Sequence, residues 1–143
     1  SGVSPFKHLM TAPDQYGRTA LHYAASNGDA ALVKSLLSNG SDPNAQDAEG
    51  WSPLHFAAQS RAVAVADALL ADGADTHLKD SYGNTPLFRA VFCSNGDGTV
   101  ISRLRAAGAD VHAVNSRGIS PVVLARTIGN YDVAQFFADV PAG

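Results

Sequence analysis

The chain has 143 residues, 45% of them hydrophobic, and a formal charge of −3 from 10 basic and 13 acidic side chains. That length and apolar fraction suit one domain with a buried core, and the scattered Lys and Arg form no basic stripe able to neutralise phosphates, which argues against disorder and nucleic-acid binding. The lone cysteine, Cys93, rules out an internal disulfide, no Cys/His spacing matches a zinc site, and no apolar run approaches the roughly 20 residues that span a bilayer.

In chain order, Ser4 to Pro13 reads as a brief helical lead-in (1–13) whose Phe6, Leu9 and Met10 cover the adjoining segment from Asp14 onward. From Asp14 the sequence repeats itself. Gly17, Gly50, Gly83 and Gly118 are spaced 33, 33 and 35 residues apart, and two residues after each comes Thr19, Ser52, Thr85 or Ser120. These open the segments TALHYA (19–24), SPLHFA (52–57), TPLFRA (85–90) and SPVVLA (120–125). A second series, beginning at Gly40, Gly73 and Gly108, keeps the same intervals. Two markers in phase define four units, 14–46, 47–79, 80–114 and 115–139, followed by a tail, 140–143.

Each unit predicts two helices. Thr or Ser caps the first by accepting a backbone N–H, and Pro53, Pro86 and Pro121 occupy the first helical position, where a missing donor costs nothing. Leu21, Ala24 and Ala25, echoed by Leu54, Ala57 and Ala58, keep that helix narrow enough for close stacking. Leu32, Val33, Leu36 and Leu37 form the apolar stripe of a second helix, which Gly40 and its equivalents stop. Tight turns starting with Asp or Asn and ending with Gly join the units. Val133, Phe136 and Phe137 read as a final helix closing the core.

The 33-residue period with T-P-L-H-x-A after a turn resembles the ankyrin repeat. The resemblance implies an all-α solenoid of four helix-turn-helix repeats with β-turn tips, in a single domain over 1–143, monomeric when free. It also implies that His22 and His55 are structural, linking successive turns. Phe88 and Val123 replace them in units three and four, so the network there is weakened or replaced by apolar packing. His77 and His112 take the slot of Asn44, which usually ties the loop.

Unit three is longer by two residues, and the extra length falls in a Gly-rich stretch, Cys93 to Thr99. It carries too few carboxylates for a calcium loop and lacks the dinucleotide fingerprint, so it reads as a surface insertion. Nothing assembles a nucleophile, base and orienter, although Cys93 with a nearby His would be the place to look for a hydrolase. No cofactor or metal is expected.

A repeat scaffold of this kind presents an extended binding surface. The positions that the resemblance assigns to partner contact yield Tyr16, Arg18, Glu49, Trp51, Gln59, Tyr82, Asn84, Phe92, Arg117 and Ile119; Tyr23 and Phe56, within the first helices, extend that aromatic surface, and Arg89 takes the corresponding place in unit three. Tyr16, Trp51 and Tyr82 stand out as large aromatics at turn tips where the framework does not require them. Units three and four, from Gly83 to Phe92 and from Gly118 to Val133, further resemble bacterial ankyrin-type immunity proteins encoded beside polymorphic or type VI secreted toxins. That resemblance implies a small cytoplasmic inhibitor binding a cognate toxin domain in a 1:1 complex, with no membrane or nucleic-acid partner. The acidity of the chain would suit a basic toxin. The alternatives are a generic ankyrin adaptor or an accessory protein that stabilises a partner enzyme.

Overall fold

The computed structural model describes residues 13–128 and 132–141, so the expected lead-in lies outside the described residues except for Pro13. Within them run seven α-helices and one 3-10 helix, and no strand. The first helices of the four units are α1 (Ala20–Ser26), α3 (Pro53–Gln59), α5 (Pro86–Phe92) and α7 (Pro121–Thr127). The second helices are α2 (Ala30–Ser38), α4 (Val63–Ala71) and α6 (Thr99–Ala106), with the 3-10 helix Val133–Phe137 in the fourth place.

Each first helix begins where its cap dictates. Thr19, Ser52, Thr85 and Ser120 accept the backbone N–H of the third helical residue, and proline opens α3, α5 and α7. Asp29 caps α2 in the same way, through the N–H of Leu32. Gly40, Gly73 and Gly108 follow α2, α4 and α6 at positive φ, as helix stops do.

The helices stack in two layers, α1–α3–α5–α7 in front and α2–α4–α6 behind, each unit packed on the next. Leu21, Leu54 and Leu87 from the front layer meet Val33, Val65, Leu69, Ile101 and Leu104 from the back, all fully buried. The Ala pairs of α1 and α3 are buried as well, which allows the close approach that the sequence predicts.

The turn tips repeat one device. The side-chain oxygen Oδ1 of Asp14, Asp47, Asp80 or Asn115 accepts the backbone N–H groups two and four residues on, at 2.8 to 3.0 Å. Neighbouring turns then join by one backbone bond each, from Ala48 to Tyr16, Ser81 to Glu49 and Ser116 to Tyr82, all 2.9 Å.

The histidines complete the link. His22 Nδ1 accepts the Thr19 backbone N–H at 2.9 Å, which leaves Nε2 to donate to the Trp51 carbonyl at 2.8 Å. His55 repeats this with Ser52 at 3.1 Å and with the Asn84 carbonyl at 2.9 Å. Phe88 is buried in the third such place and has no polar group to offer, so apolar packing replaces the tie between units three and four. Asn44 ties its loop to the backbone N–H of Asp75 at 2.7 Å, while the His77 ring turns back toward Asp75 of its own loop.

The segment that the sequence reads as a final helix is a five-residue 3-10 helix with Val133 and Phe137 buried, a length at which the tighter ladder is commonly used. The Gly-rich insertion exposes Asn95, Asp97 and Thr99 and anchors through buried Ser94 and Gly98, where a side chain in place of Gly98 would collide with the ring of Phe136. Arg105 clamps the closing segment over it, donating to both carboxylate oxygens of Asp139 at 2.8 and 2.7 Å and to the Phe136 carbonyl at 2.8 Å.

Candidate functional site

The front face, built from the turn tips and first helices, carries the thirteen residues that the sequence singles out. Six of them form one continuous row. The Arg18 guanidinium lies 5.2 Å from the centre of the Tyr16 ring and 5.5 Å from that of Phe56. Phe56 packs on Trp51 with centroids 4.8 Å apart. Arg89 sits 5.0 Å from Trp51 and 5.2 Å from Phe92. Each guanidinium thus lies between two rings, with the Phe56–Trp51 pair joining the two halves of the row, an arrangement that ring quadrupoles favour.

Polar contacts fix both cations. Arg18 Nε donates to the buried Asp47 carboxylate at 3.2 Å. Arg89 Nη2 donates to Gln59 Oε1 at 2.8 Å and reaches Cys93 Sγ at 3.8 Å, while its buried Nε has no hydrogen-bond partner. Cys93 is therefore the C-cap of α5 with an arginine beside it, and its sulfur accepts from Arg89 Nη2.

Trp51 departs from expectation. It is half-buried between Phe56, His55 and Arg89, and its carbonyl receives the His22 tie, so it belongs to the framework as well as to the surface. Tyr16, Tyr82 and Phe92 are 52%, 67% and 60% exposed and offer the most ring surface to a partner. The Tyr23 hydroxyl donates to the Asp14 carboxylate, which steadies the first turn and draws the carboxyl below its ordinary range. Glu49 is exposed at its turn tip, outside the row.

Beyond the row, Tyr82, Asn84, Arg89, Phe92, Arg117 and Ile119 come together around a hollow of about 310 Å³ between units three and four. Phe88, Asn115, Ser116 and Leu124 complete its wall. Phe88 and Leu124 do not figure among the contact positions read from the sequence. Phe88 replaces the histidine of units one and two, and Leu124 shares its register with Tyr23, Phe56 and Arg89; those alignments are the signal that could have found them. Among the described residues no group of three or more His, Cys, Asp or Glu gathers to hold a metal, and no helix is long and apolar enough to cross a membrane.

Stacked helix pairs with hydrogen-bonded turns define a helical repeat solenoid, a class that binds through an extended surface. The family model for ankyrin repeats in three copies matches residues 4–80 and 21–115, more than half of the chain, and the protein belongs to the ankyrin repeat family. No curated protein matches it significantly. Ankyrin repeats are protein-interaction modules, generally without catalysis, so the chain is a protein-binding module and its partner is a protein.

Proposed function

We propose that the chain binds one protein across its front face in a 1:1 complex and inhibits it, as an immunity protein that covers the active site or substrate cleft of a cognate secreted toxin in the cytoplasm. The observation that carries this reading is the row from Tyr16 to Phe92. Its rings and guanidiniums are already held in place by Asp47, Gln59 and one another, so little side-chain freedom is lost on binding. Such pre-organisation suits an inhibitor whose contacts must be tight, and the likeness of units three and four to immunity proteins supports the choice of toxin as target.

The test is to use the chain as bait in its native cell and assay each captured protein alone and with one equivalent of the chain. Loss of a toxic activity at an equimolar ratio is the expected result. A partner that keeps or gains activity would replace the immunity reading with an adaptor or accessory role.

A further inference from the structure

The hollow between units three and four has a cause in the repeat. At the position following the turn glycine, units one and two carry Arg18 and Trp51, whose long side chains bridge to Phe56 and Arg89 of the next unit. Unit three carries Asn84, whose short amide turns aside to accept from Asn115 Nδ2 at 2.9 Å. The space that a large side chain fills at the two earlier junctions is left open here, and it measures about 310 Å³. That is at the bottom of the range for small-molecule pockets and suits one or two side chains offered by a protein.

The chemistry of the wall is selective. Tyr82, Phe92, Ile119 and Leu124 supply apolar surface, and Arg89 and Arg117 supply two positive charges. Neither arginine forms an ion pair with a carboxylate among the described residues, whereas Arg18, Arg103 and Arg105 each have one. Arg89 also holds a buried Nε–H that no acceptor meets. No Asp or Glu stands in the wall; Asp80, whose Oδ1 accepts from the backbone of its own turn, lies outside the lining. The hollow is thus locally cationic within a chain of net charge −3.

We infer that this hollow receives an acidic segment of the protein partner: an Asp or Glu carboxylate for Arg89 and Arg117, with an aliphatic or aromatic neighbour lodged against Tyr82, Phe92 and Leu124. Guanidinium and carboxylate pair through charge-assisted hydrogen bonds, and the apolar rim excludes water around them. The inference rests on the reading of the front face as the binding surface and adds the chemistry of what binds there.

A phage-displayed library of random 12-residue peptides, selected on the intact chain, tests it. The expected outcome is enriched peptides that pair an acidic residue with an apolar one and lose about ten- to a hundredfold in affinity on Arg89→Gln and on Arg117→Gln. Arg117 is exposed, so its variant keeps the test valid even where Arg89→Gln disturbs packing on Trp51. Peptides indifferent to Arg117→Gln but lost on Tyr16→Ala would overturn the acidic-segment inference and leave the front-face reading standing. Peptides indifferent to both changes would overturn both. Failure to enrich any peptide would overturn the hollow as a receptor for a linear acidic segment.

Discussion

The guanidinium carbon of Arg89 lies 5.0 Å from the centre of the Trp51 ring, so a cation on the first helix of unit three is seated on a ring at the turn tip of unit two. The contact joins stability to the binding surface, because both residues are half-buried and both face outward in part. A double-mutant cycle with Trp51→Ala and Arg89→Ala, followed by urea unfolding, is expected to show a coupling of about 0.5–2 kcal/mol. Additive effects would show that the row is adjacency without energy.

Acidification should weaken the stack through the histidines. Burial pushes the imidazoles of His22 and His55 below the ordinary value of about 6.5, so the unfolded chain takes up protons that the folded chain refuses. Their contribution is complete above about pH 6.5 and is lost as the pH falls from there toward the lower folded values. The urea midpoint should drop between pH 7.5 and 5.5. Replacing both residues with Phe, which unit three carries naturally, should flatten that dependence; an equally steep profile would assign it to other groups.

Gly50 sits at φ +82°, and a Cβ there would lie 2.9 Å from Asp80 Cα of the next turn. Gly50→Ala combines a left-handed strain with that overlap, and is expected to cost about 1–3 kcal/mol of unfolding free energy. Gly73 also has positive φ but open space around it, so Gly73→Ala should bring only the strain. Equal losses at the two sites would mean that turn-to-turn contact carries no weight.

The junction between units three and four lacks a histidine tie, and Ile119 O accepts only the Asn115 N–H of its own turn. Amide exchange should therefore be faster in α7 than in α3, since each unit's protection depends on its neighbours. Phe88→Ala should widen that difference and destabilise the chain by about 3–5 kcal/mol, the usual cost of emptying a buried Phe site. Protection in α7 equal to that in α3 would show that apolar packing fully replaces the tie.

Much of the fold is legible in the period. Thr19, Ser52, Thr85 and Ser120 mark their helix starts, the prolines agree with them, and the recurring glycines mark the stops, because caps and turns act over three or four residues of chain. The row on the front face is less legible. Arg18 finds Asp47 and Phe56, and Arg89 finds Trp51, across the gap between units, so those partners emerge only when the repeats are stacked. Charge misleads for a related reason. Asp14, Asp47 and Asp80 count toward the sum of −3 but do not line the hollow, whose wall holds Arg89 and Arg117 and no carboxylate. The hollow itself is a deficiency, Asn84 where its counterparts are Arg18 and Trp51, and a missing side chain carries no motif.

The most direct test of front-face binding is a hydrogen-exchange footprint of the chain alone and in complex with the protein it captures. Protection is expected at the turn tips around Tyr16, Trp51 and Tyr82 and along α3 and α5, with α2, α4 and α6 unchanged. Protection confined to α2, α4 and α6, with the turn tips exchanging as in the free chain, would contradict the account.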